Sequence, residues 1–143
     1  MKLEVQSTAN FLVHLLRLAD CNIKESSLKK FHDYLIQDLY RLYRQHWWPE
    51  NPIKGSNYRI IRINAYGTDE ILLRAAKKAH ISSCTLNDSL PHLILWINPF
   101  EVSYRMGETT FILYEYKDEK TNTWRPNSIC KKTFMLCDTI VIL

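Results

Sequence analysis

The chain is 143 residues long, and 46% of its residues are hydrophobic and 12% aromatic, which suits one globular domain with a single core. Its formal net charge is only +4 and its basic residues form scattered pairs, so a strongly basic nucleic-acid-binding face is not expected. The four cysteines include no Cys-x-x-Cys pair, and no stretch holds the roughly 18 apolar residues of a membrane span.

Two amphipathic helices are predicted at the start of the chain. The first covers residues 5–19, where apolar residues recur at helical spacing without Gly or Pro. His14 and Arg17 interrupt its apolar run, which fits a helix better than a secretory signal and indicates an intracellular protein. Asn22 followed by Glu25 resembles a capping box at the start of the second helix, with Ser26 and Ser27 as rival caps. Its predicted buried face carries Leu28, Phe31, Leu35, Leu39 and Leu42.

A loop, a strand and a third helix are predicted for the middle of the chain. Residues 46–57 contain Pro and Gly at positions that favour an ordered surface loop. Residues 58–64 are rich in isoleucine and indicate a strand. Thr68 is expected to cap a third helix, which has an acidic first turn and ends with Lys77 and Lys78, as the helix dipole favours.

The rest of the chain is predicted to form a strand meander and a tail. After a polar turn region come strand-like runs at residues 93–98, 102–106 and 110–116, with short connections that favour antiparallel pairing. Helices first and a meander last predict a single α+β domain over residues 1–116, with several helices covering a small antiparallel sheet of about four strands. The tail, residues 117–143, has no assigned role; an added strand, a partner-binding terminus and an altered reading frame all stay open.

Two tryptophan-bearing blocks carry the most specific signal. They are YRQHWWPENPIKGSNYR at residues 43–59 and LILWINPFEVSYRMGE at residues 93–108. Together they resemble box A and box B of the BTG/Tob family of anti-proliferative proteins. The likeness extends over about residues 1–116, because the two leading helices also stand where the family has them. The resemblance implies the N-terminal domain of that family, with several helices around a small antiparallel sheet.

The resemblance also implies a function. Family members are non-enzymatic adaptors that bind the deadenylase subunit of the Ccr/Not complex, regulating mRNA deadenylation, translation and cell proliferation in the cytoplasm and nucleus. It implies no catalytic residue, no cofactor and no metal. By motif match the family's contact tyrosine and tryptophan are Tyr58 and Trp96, residue types that dominate interface hot spots, although both are open to being core aromatics. The other predicted partner-binding residues are Trp47, Pro49, Glu50, Lys54, Asn98, Pro99, Phe100 and Glu101.

Three positions depart from the family pattern. Asn98 stands where the family usually has aspartate before proline, Asn57 follows Ser56 where a small-residue turn is usual, and Ile60 replaces a common cysteine. Asparagine at 57 is a mild change, because it tolerates positive φ. The change at 98 removes a charge that we expect to meet a cation on the deadenylase.

Other functions remain as alternatives. A single-stranded RNA-binding or self-assembling regulator would use the box A aromatics beside Arg44, Lys54, Arg59 and Arg62, although direct nucleic-acid binding is not expected. Transcription factors and poly(A)-binding protein are further candidate partners. Residues 12–16 fit the Leu-x-x-Leu-Leu pattern of nuclear-receptor cofactors, but we expect those leucines to be buried. None of the five histidines stands in a catalytic or metal-ligand spacing, so an enzyme is not expected.

Overall fold

The computed structural model describes residues 1–19 and 22–116, and the predicted tail lies outside them. Within the described residues the elements follow the order α1 (Lys2–Ala19), α2 (Glu25–Tyr43), a 3-10 helix (Ser56–Arg59), β1 (Ile60–Asn64), β2 (Gly67–Thr68), α3 (Glu70–Lys78), α4 (Ser83–Ser89), β3 (Leu93–Asn98), β4 (Glu101–Met106) and β5 (Thr109–Glu115). Among these helices none is both long and apolar enough to cross a membrane.

One antiparallel sheet contains every described strand, in the order β2-β1-β3-β4-β5. The α+β prediction is confirmed. The four longer strands are close to those predicted from the sequence, and the two-residue strand β2, which pairs with the end of β1, was not predicted. A β-bulge between Val102 and Ser103 interrupts the pairing of β4 with β5.

The two faces of the sheet differ in what covers them. Side chains alternate between the faces along a strand, and those of Leu93, Leu95 and Ile97 in β3 are buried under α1, which packs on β3, β4 and β5. The opposite face keeps partial solvent exposure, and we call it the outer face. Its central residues are Ile60, Arg62, Ile94, Trp96, Ser103, Arg105 and Ile112.

The helical layer packs α2 against both α1 and α3. In α1, Leu12 and Leu16 are fully buried, so the Leu-x-x-Leu-Leu pattern belongs to the core as expected. In α2 the predicted face is confirmed except at Leu42, which is 45% exposed. Tyr43 is buried in its place, because the row of i, i+4 positions through Leu39 continues to residue 43.

The starts of the first two helices differ from the predictions. α1 begins at Lys2 rather than at residue 5. α2 begins at Glu25, and the extended residue before it, Lys24, makes no side-chain cap hydrogen bond. The predicted capping box at Asn22 is therefore wrong, and burial of the apolar face of α2 must stabilise the helix instead.

The caps of the two short helices are polar side chains. Asp69, not the predicted Thr68, caps α3, and its carboxylate accepts an amide of the first turn at 3.2 Å. Thr68 lies in β2. The unpredicted helix α4 begins after Ser82, whose hydroxyl accepts the amide of Thr85 at 3.1 Å. Sequence periodicity missed α4 because Leu86 is its one buried residue.

Candidate partner-binding site

Arg59, at the end of the 3-10 helix, joins the two motif blocks. Its side chain is fully buried. Nε donates to the carbonyl of Ile97 at 2.7 Å, and Nη2 donates to Oδ1 of Asn98 at 2.9 Å. Both acceptors belong to β3, so the last residue of box A is hydrogen-bonded directly to the centre of box B.

The same guanidinium also holds the box A loop. Nη1 donates to the carbonyls of His46 and, at 3.0 Å, Lys54, while Nη2 donates to the carbonyl of Pro52 at 2.9 Å. The guanidinium carbon lies 5.5 Å from the centre of the Trp47 ring. We call this guanidinium and its oxygen acceptors the Arg59 network. Burial lowers the pKa of Arg59, and the surrounding oxygens compensate the cation for its lost hydration.

The Arg59 network was not predicted. The prediction that Arg59 is a cation available to RNA is wrong, because a fully buried side chain cannot reach a phosphate. The burial of Arg59 could have been predicted from its position, since the alternation that buries Ile61 and Ile63 also points residue 59 inward. A charged residue is not expected at a buried position. The oxygens that accept its hydrogen bonds are mostly main-chain carbonyls, which no sequence motif reveals.

Tyr58 lies on the surface and not in the core. It is 60% exposed and belongs to the 3-10 helix, so the predicted strand begins two residues later than expected. Its ring stacks on His46 with centroids 4.0 Å apart and planes 11° apart. His46 in turn meets the edge of Trp48 at 6.2 Å. The open alternative that Tyr58 is a core aromatic is therefore wrong, and the stack on His46 restrains its ring.

The box A loop depends on a close contact between Gly55 and Trp48. Gly55 has φ +73°, and a Cβ built on it would lie 2.5 Å from Cζ3 of Trp48. Lys54 places its ammonium 4.6 Å from the centre of the same tryptophan ring. Asn57, which was expected to exploit its tolerance of positive φ, lies in the 3-10 helix, so the left-handed residue of the loop is the glycine.

Trp96 occupies the centre of the outer face. It pairs with Ile60 of β1 and with Ser103 of β4, and it is half-buried. Ser103 pairs in turn with Ile112 of β5, so the tryptophan lies in a cross-strand row with two isoleucines. The side chain therefore points away from the α1-covered core.

The turn between β3 and β4 places a strained aromatic on the surface. Pro99 is buried, and Phe100 is 41% exposed with φ +70°. The Phe100 ring lies 5.7 Å from that of Tyr116, whose amide donates to the Phe100 carbonyl at 2.8 Å. A non-glycine residue in this region costs on the order of 1 to 3 kcal/mol, a strain that accumulates at binding sites.

The other predicted site residues are either exposed on the box A loop or partly buried. Pro49, Glu50 and Lys54 are exposed on the box A loop, whereas Trp47 packs partly against the core. Glu101, opposite Asn98, is half-buried. The sequence analysis missed two exposed apolar side chains of this region, Ile53 and Tyr116. The described residues contain no group of three His, Cys, Asp or Glu side chains that could hold a metal ion.

Comparison with known proteins identifies the family. A model of the BTG family matches residues 1–116. The chain belongs to the BTG family. This BTG-family chain is 44% identical to human protein BTG2 over 115 residues, which cover 78% of this chain and 72% of BTG2. It is 40% identical to rat BTG2 over 134 residues, covering 93% of this chain and 84% of that protein.

A solved structure supports the fold of the BTG-family chain. A variant of the BTG/Tob domain of FOG-3 from C. elegans matches it with a TM-score of 0.73 over 82% of this chain and 92% of that one, at 21% identity. At that identity the likeness shows the fold alone. The family resemblance and the α+β fold predicted from the sequence are both confirmed.

Asn98 of the BTG-family chain is bonded to a cation within the same chain. The sequence analysis expected an aspartate at this position to meet a cation on the partner, yet Arg59 Nη2 already lies 2.9 Å from Oδ1 of Asn98. We expect Asn98→Asp to stabilise the fold by about 1 kcal/mol at neutral pH, because a charge-assisted hydrogen bond replaces a neutral acceptor. Urea unfolding of both proteins measures the difference.

The pH dependence of Asn98→Asp checks the cause. A carboxylate beside Arg59 would have a lower pKa in the folded state than when unfolded, so its stabilisation is present above the unfolded pKa of about 4 and disappears as pH falls through the folded pKa. A gain that persists in acid would point to packing. Equal stability of the two proteins at neutral pH would show that the neutral amide serves Arg59 as well as a carboxylate does.

Strain at Phe100 of the BTG-family chain predicts that a glycine variant is more stable than an alanine variant, which reverses the usual order. Phe100→Gly and Phe100→Ala both remove the ring, but only glycine adopts φ +70° freely. We expect the glycine variant to be about 1 kcal/mol more stable than the alanine variant. Thermal or urea unfolding measures the gap. The usual order, alanine above glycine, would mean that the turn relaxes once the ring is gone.

Proposed function

We propose that this chain is a non-enzymatic adaptor that binds the deadenylase subunit of the Ccr/Not complex and so couples mRNA deadenylation and translation to restraint of cell proliferation. The observation that carries the proposal is the position of Tyr58. A large aromatic ring is 60% exposed and stacked on His46, beside a network that ties box A to box B. Residue type and exposure both fit a protein-binding anchor.

Rigidity is the physical reason that this surface suits binding. Ordering a side chain at an interface costs about 0.5 to 1.5 kcal/mol, a cost that a preorganised side chain avoids. Tyr58 is restrained by His46, and Phe100 by its turn and by Tyr116. Buried aromatic anchors of this kind contribute most of the binding energy at typical interfaces.

The proposed partner implies where the protein acts. An adaptor for mRNA deadenylation would work in the cytoplasm and, through transcription factors, in the nucleus. Poly(A)-binding protein is a further proposed partner, for which the described surface offers no specific observation. For single-stranded RNA binding, the buried side chain of Arg59 is lost as a phosphate contact, whereas Arg44, Lys54 and Arg62 are exposed.

Truncating either anchor should weaken binding without unfolding the domain. We expect Tyr58→Ala and Trp96→Ala each to reduce affinity for the purified deadenylase subunit by about 2 kcal/mol or more, roughly thirtyfold. Calorimetric titration measures the loss. Tyr66→Ala is the matched control, because Tyr66 is a fully exposed aromatic at the β1–β2 turn, outside both boxes.

Thermal melting must accompany these titrations. A variant that loses its cooperative melt marks a residue needed for folding, and its effect on affinity then says nothing about contact. If Tyr58→Ala folds and binds as tightly as Tyr66→Ala, the proposed anchor is wrong. Absence of binding by the wild-type domain would overturn the adaptor function itself, and titration with single-stranded RNA would then test the alternative.

A further inference from the structure

Two arginines of the outer face have side chains with no polar partner among the residues that the structure describes. In the ladder Arg62 of β1 pairs with Ile94 of β3, which pairs with Arg105 of β4, so the three side chains form one cross-strand row. Both arginines are exposed. Within residues 1–19 and 22–116, neither side chain forms a hydrogen bond or an ion pair. Two strand spacings separate them, which is about 10 Å.

The outer face is electrically polarised along the strands. Next to the arginine row lies the row of Ile60, Trp96, Ser103 and Ile112, which is apolar except for the serine. Beyond that row, Glu101 of β4 lies opposite Glu115 of β5, about 13 Å along the strand from Arg105. A partner on this face therefore meets cations at one end, apolar side chains in the middle and carboxylates at the other end.

This arrangement favours an acidic protein surface over RNA. Sheet platforms for single-stranded RNA stack bases on two or three aromatic rings, whereas Trp96 is the one aromatic in the cross-strand rows of this face. The β-branched isoleucines around it suit apolar side chains, and a phosphate backbone crossing the face would meet the glutamates. Arginine and tryptophan are also the residue types most enriched at protein interfaces.

We infer that the deadenylase-binding surface extends along the outer face and that the partner presents acidic side chains to Arg62 and Arg105. This inference rests on the proposed function and adds to it the charge of the matching partner surface. Exposed complementary charges act mainly on encounter: they raise the association rate and orient the partner before Trp96 and Tyr58 are buried.

The test measures association rates for two charge-reversed proteins. Arg62→Glu/Arg105→Glu reverses the pair, and Lys29→Glu/Lys30→Glu makes the same change in net charge on the exposed face of α2, in the helical layer. Stopped-flow association with the purified deadenylase subunit is followed at low and high salt. The screening length falls from about 30 Å at 0.01 M salt to about 8 Å at 0.15 M, so a true charge contact is salt-sensitive.

The expected result is specific to the arginine pair. At low salt Arg62→Glu/Arg105→Glu should associate about tenfold more slowly than the wild type, with the difference shrinking as salt rises, whereas the lysine control should change by no more than about twofold. Arg62→Lys/Arg105→Lys, which keeps the charges, should associate at nearly the wild-type rate. Because all four positions are exposed, the melting temperatures should stay close to that of the wild type.

Three other outcomes would contradict the inference, the proposed function or both. If the wild type binds and Trp96→Ala weakens it, but the arginine and lysine reversals slow association equally, the inference is wrong and the adaptor function stands. If charge reversal accelerates association, the partner surface is basic. If the wild-type domain does not bind the deadenylase subunit, the proposed function and this inference are both overturned.

Discussion

Arg59→Met is expected to destabilise the domain by about 3 to 5 kcal/mol, because it removes the donor shared by a buried carbonyl of β3 and part-buried carbonyls of the box A loop. Total stability of a domain this size is on the order of 5 to 15 kcal/mol, so the melting temperature should fall by more than about 10 °C. Thermal unfolding followed by far-ultraviolet dichroism measures the shift.

Two further variants test whether the stability lost in Arg59→Met comes from the geometry of the guanidinium, from its charge or from strand propensity. Arg59→Lys keeps the cation but has one nitrogen, which cannot reach acceptors on β3 and on the box A loop together, so we expect it to restore little of the loss. Arg62→Met, on the exposed side of the adjoining strand β1, should shift stability by less than about 0.5 kcal/mol. A melting temperature for Arg59→Met close to that of Arg62→Met would show that the network contributes no net stability.

Gly55→Ala is the second change with a large expected effect, about 2 to 5 kcal/mol. Part of it, about 1 to 2 kcal/mol, is the cost of placing a Cβ at φ +73°. The rest is the displacement of the Trp48 ring, whose Cζ3 lies 2.5 Å from the new Cβ, since overpacking costs about 1 to 3 kcal/mol.

Gly107→Ala is the matched control for that substitution. Gly107 has φ +63° and nothing within 4 Å of a built Cβ, so alanine there should cost only the conformational part. Chemical denaturation of the two variants isolates the Trp48 contact as their difference. Equal losses would mean that the tryptophan moves aside freely. A displaced Trp48 should also disturb His46 and, through it, the Tyr58 anchor.

The order of the elements could be predicted from the sequence, because long amphipathic periods and isoleucine-rich runs report burial directly. The turn at Pro99 and the core face of α1 follow from such patterns. The helix α4 could not be found, since one buried leucine makes no period. The start of the first strand was misplaced because a 3-10 helix before it carries Tyr58 and Arg59.

The candidate site was predictable in its residue types but not in its chemistry. The two blocks pointed to Tyr58 and Trp96, and the structure places both away from the α1-covered core. The hydrogen bond between the two blocks cannot be predicted from the sequence. Arg59 and Ile97 are 38 residues apart, and the acceptor is a carbonyl that every residue type possesses. Long-range contacts to the main chain leave no trace in residue identity.

Because most acceptors of Arg59 are main-chain atoms, the domain should tolerate some kinds of sequence change better than others. Four acceptors of the Arg59 network are main-chain carbonyls, those of His46, Pro52, Lys54 and Ile97. The exposed side chain of Lys54 can therefore be exchanged without breaking the network, whereas Ile97 is buried in the core and His46 stacks on Tyr58. Insertion or deletion of a single residue between 46 and 58 would instead move the carbonyls out of reach. Away from Gly55 and Trp48, the box A loop can therefore vary in composition more readily than in length.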